Sequence, residues 1–151
     1  KKQTLKMRRT LGENFPSVFS PSAIKFGRGG MQELELLVQM GFLLKNLEYK
    51  SKKQSPRELI KRLCNKGFFS KDEGDELLLA HSLYFNYQQI SGIFIVEISN
   101  VESLSNMGLL HLLNNISDSH ICSKIKDIDD LKKLLVEKSK FIGDLFDKKL
   151  K

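Results

Sequence analysis

Apolar residues recur along this chain at helical rather than strand spacing. The densest stretch places Leu34, Leu36, Leu37, Val38, Met40, Phe42, Leu43, Leu44 and Leu47 around most of a helical circumference. That pattern predicts a buried helix running to about Tyr49. After a polar connector, Ser55-Pro56-Arg57-Glu58 reads as a helix start: Ser at the cap, Pro in the first turn, Glu three residues on. Leu59, Ile60, Leu63 and Cys64 give this helix its apolar face and Gly67 stops it. Ser70-Lys71-Asp72-Glu73 repeats the capping pattern ahead of a long helix that packs through Leu77, Leu78, Ala80, Leu83, Tyr84, Phe85 and Tyr87. The β-branched run Ile93 to Ile98 has strand character. A lone strand has no partner here, so the run reads as a helical extension or a turn after Gly92. Asn106 to Ile116 predicts a short helix through Leu109, Leu110, Leu112 and Leu113. Asp127 caps a last helix whose face is Ile128, Leu131, Leu135, Ile142, Leu145 and Phe146. Upstream, Thr4 to Glu13 can form a short basic helix. Asn14 to Ser22 reads as a loop, because Pro16 and Pro21 disfavour helix at the residue before each, and Ala23 to Phe26 reads as extended. The sum is an all-α chain, an antiparallel bundle of five or six helices.

Composition narrows this picture without changing it. A length of 151 residues suits one domain, with three prolines and no tryptophan. The longest apolar run, Ser91 to Ser99, falls well short of the ~18 residues of a membrane span, so a membrane is not an expected partner. Cys64 and Cys122 are isolated, and no signal-peptide pattern opens the chain. Both features point to reduced thiols and a cytoplasmic location. The chain starts at Lys1 rather than Met, which suggests a piece of a longer protein. Charge is unevenly placed. Residues 1–30 hold seven Lys/Arg against Glu13 alone, while the remainder is nearly balanced. This end can attract phosphates, nucleic acid or an acidic protein face, or it can be a solvated basic helix.

The candidate chemistry sits where a basic glycine loop meets the apolar helix, Ile24-Lys25-Phe26-Gly27-Arg28-Gly29-Gly30-Met31-Gln32-Glu33-Leu34-Glu35. Gln32, Glu35 and Gln39 are spaced three and four apart and share a helical face. A carboxylate on a buried helix needs a partner. Glu35 therefore either bridges to Lys25 or Arg28 and ties the loop down, or faces a neighbouring domain. Gly29 and Gly30 permit unusual backbone angles, and the helix N-terminus beyond them suits a phosphate. Three scattered histidines, His81, His111 and His120, have no metal-ligand spacing. The acidic group Asp72, Glu73, Asp75 and Glu76 reads as surface charge that complements a helix dipole, with a metal or partner site as the alternative. No catalytic or metal-ligating residue is assigned.

The same stretch resembles the junction after the nucleotidyltransferase domain in the glutamine synthetase adenylyltransferase family, Lys-x-x-x-Gly-Gly-Ile/Leu followed by Asp/Glu-Ile-Glu-Phe-x-x-Gln. Lys25, Gly29, Gly30, Glu33, Glu35 and Gln39 fall at the matching positions. Met31 and Gln32 depart from the pattern, and Leu36 replaces the usual Phe. The Glu33, Glu35 and Gln39 series resembles the adenylyltransferase more than the uridylyltransferase of the PII signal protein. Arg28, together with the end of the chain soon after its final helix, resembles the C-terminal, adenylylating half. The resemblance implies a basic connecting helix and loop over 1–24 and a helical bundle domain over 25–151. It implies that Lys25, Arg28, Gly29, Gly30, Gln32, Glu33, Glu35 and Gln39 form a nucleotide cleft or domain interface. The family's Gly-Ser-x-x-Asp-x-Asp, which holds Mg and ATP, does not occur in this sequence, so no cofactor is expected in this chain and it should be inactive alone. The implied partners are an upstream nucleotidyltransferase domain, glutamine synthetase and, as a further candidate, PII signal protein. The alternative is a non-enzymatic helical interaction module that binds nucleic acid through its basic N-terminal segment.

Overall fold

The computed structural model of the chain describes residues 21–48, 54–94, 106–116 and 123–150. Every regular element among them is a helix: α1 (Pro21–Phe26), α2 (Met31–Leu44), α3 (Pro56–Asn65), α4 (Lys71–Phe94), α5 (Asn106–Asn115) and α6 (Ile128–Leu150). The expected basic helix at Thr4 to Glu13, most of the 14–22 loop and the run beyond Phe94 lie outside the described residues. The long α4 is the hub and packs against each of the other five helices, while α2 also meets α1, α3 and α6. Leu34, Leu37 and Phe42 of α2, Ile60 and Leu63 of α3, Leu83 and Tyr87 of α4 and Leu135, Ile142 and Phe146 of α6 close one continuous core. Burial pushes the Tyr87 hydroxyl up to about 12.

The helix starts obey local chemistry. Ser55 Oγ accepts from the Glu58 amide, and the Glu58 carboxylate reaches back to the Ser55 amide at 2.8 Å. At α4 the same pair of bonds joins Ser70 and Glu73, at 3.1 and 2.9 Å. Asp127 Oδ1 caps α6 by accepting from the Asp130 amide at 2.9 Å. Gly67 ends α3 in the left-handed region, φ +66°.

Several expectations are corrected. Residues 23–26 are helical, not extended. Pro21 sits at the first helical position, where its fixed φ suits a helix and its missing N–H costs nothing. The Gly27 amide then closes the helix on the Ala23 carbonyl at 2.7 Å. α2 stops at Leu44, short of Tyr49, because Asn46 turns into the left-handed region (φ 49°) and Leu47 N–H bonds back to Phe42 O at 2.9 Å. Nor is α2 buried all round. Leu43 is 70% and Leu44 56% exposed, while Glu33 occupies the interior at 5%. Phe85 on α4 and Leu110 on α5, both expected to pack, are exposed.

Long-range ion pairs fasten α4 to α6. Lys138, 3% exposed as a side chain, meets Glu76 and also Glu137 at 3.0 Å. Burial pushes its ammonium pKa down, but the two carboxylates outweigh this and raise it overall. One turn earlier on α4, Glu73 receives Lys148 at 2.9 Å and Lys149 at 2.8 Å. Burial pushes the Glu73 carboxyl up, yet bonds from Lys149, Lys148 and the Ser70 amide prevail and hold it at about 2 rather than 4.5. A depressed carboxylate contributes stability that is complete above its unfolded value and lost as pH falls toward the folded one. Stability attributable to Glu73, on the order of 2 kcal/mol after allowing for solvent screening at Lys148, should therefore fade as pH drops from 4.5 to about 2. Urea unfolding across that window should show a shallower acid slope in Glu73→Gln than in the wild type. Equal slopes would remove Glu73 from the acid response.

Candidate functional site

The loop Gly27–Gly30 joins α1 to α2 and is held by three other side chains. Glu33, in the first turn of α2, reaches back and accepts the Gly29 amide. Tyr84 of α4 donates its hydroxyl to the Gly29 carbonyl at 3.0 Å, and Ser139 of α6 donates to the Arg28 carbonyl at 2.7 Å. Burial, and then the Glu33 charge, push the Tyr84 hydroxyl well above the ordinary phenol range, so it stays a donor. Gly29 has φ +69°, and a Cβ there would lie 1.8 Å from Ser139 O. A Cβ on Gly30 would sit 2.5 Å from Ile24 O. Both glycines are therefore demanded by close backbone approach, one of them also by its φ.

Arg28 runs outward along α6. Its guanidinium passes Gly143, where a Cβ would meet Nε at 3.0 Å, and reaches Asp144 at 3.5 Å and Asp147 at 3.4 Å. The sequence suggests a phosphate-binding logic for this loop. In the structure, the Gly29 amide and the Arg28 charge are already engaged by carboxylates of the chain itself.

The expected bridge from Glu35 to Lys25 or Arg28 is also corrected. Glu35 is exposed, and among the described residues it pairs with neither. The residue that ties the loop is Glu33. The sequence carried a signal for this: Gly30 is the N-cap, so Glu33 stands at the third helical position, from which a carboxylate reaches back to amides at the helix start. Tyr84 and Ser139 had no comparable local signal, because they lie 55 and 111 residues from their partners.

Of the residues singled out from the sequence, Lys25, Gln32 and Glu35 converge on one cleft of 610 Å³, with Phe26, Met31, Pro56, His81, Phe85 and Gln88 completing its wall. Lys25 Nζ lies 5.1 Å above the Phe26 ring. Gln39 is exposed farther along α2. Arg28, Gly29, Gly30 and Glu33 do not line the cleft and serve the loop instead. Burial pushes the His81 imidazole down, keeping it neutral near pH 7. His111 is exposed, and His120 lies outside the described residues. The Cys64 thiol is pushed up by burial and by Asp75 and Glu73, which makes it a poor nucleophile. No cluster of three His, Cys, Asp or Glu among the described residues could hold a metal, and none of their helices is long and apolar enough to cross a membrane.

Tyr84→Phe removes one buried hydrogen bond and leaves the Gly29 carbonyl without it. The expected loss is about 1–2 kcal/mol of unfolding free energy, read from the urea midpoint. An unchanged midpoint would mean that the hydroxyl does not hold the loop. No family model, curated protein or solved structure matches this chain.

Proposed function

We propose that this chain is the helical domain that follows a nucleotidyltransferase domain in a protein of the glutamine synthetase adenylyltransferase kind. Its helices would form an antiparallel bundle, and it would present one face of α2 to that domain. The observation that carries the reading is the division of labour along α2. Glu33 and the glycines at its start are consumed in holding the loop. Glu35 and Gln39, one turn apart, stand exposed on a helix whose Leu34, Leu37, Val38 and Phe42 enter the core, with Lys25 and Gln32 beside Glu35 in the cleft. A rigid loop and an outward polar stripe suit a junction that positions a neighbour. The neighbouring domain supplies the carboxylates that bind Mg and ATP, transfer of AMP goes to a glutamine synthetase tyrosine, and PII signal protein is the candidate regulator. The setting is cytoplasmic.

The test is AMP transfer to purified glutamine synthetase, and its removal, by the full-length protein with ATP and Mg. The expected result is activity in the full-length protein and none in the 151-residue chain alone. A full-length protein that neither transfers nor removes AMP overturns the assignment. The alternative, a nucleic-acid-binding helical module, rests on the seven Lys/Arg within residues 1–30. It is favoured in that case if binding to arbitrary nucleic acid weakens steeply with salt.

A further inference from the structure

We infer that the corner where α2 ends and α3 runs past it is a docking surface for an anionic phospholipid bilayer, on which the chain lies without spanning it. Neither the Gly27–Gly30 loop nor the outward stripe of α2 takes part, so failure here and failure of the functional reading are distinguishable.

Charge supports this first. Residues 45–71 hold nine Lys/Arg against two acids, Glu48 and Glu58, a net +7. Lys45, Arg57, Lys61 and Lys66 are exposed, and among the described residues none of them meets a carboxylate. The lysines of α6 behave differently: Lys132, Lys133, Lys138, Lys148 and Lys149 each pair with an acid of the chain. Glu58, the neighbour of Arg57, is engaged in the Ser55 cap. Arg57 and Lys61, four apart, share one face of α3, and Lys66 stands at its C-cap. Arg57 lies in the first turn of α3, where the helix dipole disfavours a cation, so its charge does not serve the helix.

The second support is apolar. Leu43 and Leu44, the last two residues of α2, are 70% and 56% exposed, directly before Lys45. A single exposed leucine is ordinary; two in succession beside unpaired cations are not. Arg62 draws this corner onto α3. Its guanidinium lies 5.0 Å from the centre of the Phe42 ring and donates to Glu48 O at 2.8 Å and to Gln54 Oε1 at 3.1 Å. One side chain of α3 thus holds the end of α2 and both sides of the connector, with Lys61 next to it and Lys66 one turn on.

The combination selects the occupant. A phosphodiester backbone meets the cations and leaves the leucines in water. A neutral apolar partner covers the leucines and leaves the cations unmet. A bilayer with anionic headgroups satisfies both: the cations meet the headgroups, and the leucines enter the boundary with the acyl chains. No described helix is long and apolar enough to cross a membrane, and lying on one requires no such helix.

The experiment is co-sedimentation of the 151-residue chain with vesicles of equal parts phosphatidylcholine and phosphatidylglycerol, and with vesicles of phosphatidylcholine alone. Binding to the mixed vesicles only is expected. Arg57→Gln and Lys61→Gln should each lower the partition coefficient about fivefold, and the double change Leu43→Ser/Leu44→Ser by about tenfold or more. All four side chains are exposed, so unchanged urea midpoints are expected and exclude a folding defect. Sedimentation with neither vesicle overturns the proposal, and so does equal binding to both. Binding to the mixed vesicles that ignores all of these changes assigns the attraction to the basic residues 1–30 and overturns it too. Loss in the cation variants with none in the leucine pair reduces the surface to a polyanion contact, which favours nucleic acid over a bilayer and also overturns it.

Discussion

Gly29→Ala is expected to cost on the order of 3–5 kcal/mol, a large part of the ~5–15 kcal/mol that holds a domain of this size together. Two costs add. The left-handed φ of +69° penalises any L side chain by about 1–2 kcal/mol. The larger cost is steric. The new methyl would lie 1.8 Å from a backbone carbonyl of α6, which cannot swing away as a flexible side chain can. Relief requires moving α6 from the loop, which breaks the Ser139 bond to Arg28 O and loosens the Arg28 pairing with Asp144 and Asp147. Gly67 provides the control. Its φ is +66°, but nothing lies within 4 Å of its would-be Cβ, so Gly67→Ala should cost only the backbone term, about 1–2 kcal/mol. Chemical denaturation of the two variants measures the difference. Equal losses would show that α6 does not press on the loop.

Glu33→Ala should be the next most damaging change, by about 2–4 kcal/mol. It strips the Gly29 amide of its acceptor, leaving a buried donor unmade at about 1–3 kcal/mol, and it opens a void beside the core. Glu33→Gln retains an acceptor oxygen of similar reach and should cost clearly less. The same truncation two residues on, at exposed Glu35, should stay within about 0.5 kcal/mol of the wild type. Urea unfolding of all three variants distinguishes the roles. A Glu35→Ala loss as large as that of Glu33→Ala would return the tie to Glu35 and undo the division of labour along α2.

How much of the fold is legible in the sequence depends on the range of the interactions. The caps at Ser55, Ser70 and Asp127 are legible because the capping bonds close within three residues, and the all-helical character comes from apolar spacing. A misreading arises where one residue carries two signals: Pro21 reads as part of a loop because it disfavours helix at the residue before it, but the same residue suits the first turn of a helix, and α1 begins there. The exposed sides of the apolar helices are not legible: Phe85 and Leu110 sit in leucine-rich stretches, and only the placement of neighbouring helices leaves them uncovered. Lys138 looks in sequence like any lysine of a solvated helix, yet it is buried against Glu76, 62 residues away. At the candidate site, the sequence locates the loop and the polar stripe but leaves Glu35 either tying the loop or facing outward, and it does not single out Glu33 for the tie; helical geometry turns Glu33 inward and Glu35 outward.

On the proposed reading, the outward face of α2 serves a neighbouring domain rather than the stability of this chain. The most direct test of that reading is AMP transfer to glutamine synthetase by the full-length protein carrying Glu35→Ala, with the urea midpoint measured on the same preparation. The account predicts a loss of rate on the order of 10–100-fold, the scale of a misplaced reacting group, with an unchanged midpoint. Wild-type transfer rates in Glu35→Ala would contradict it.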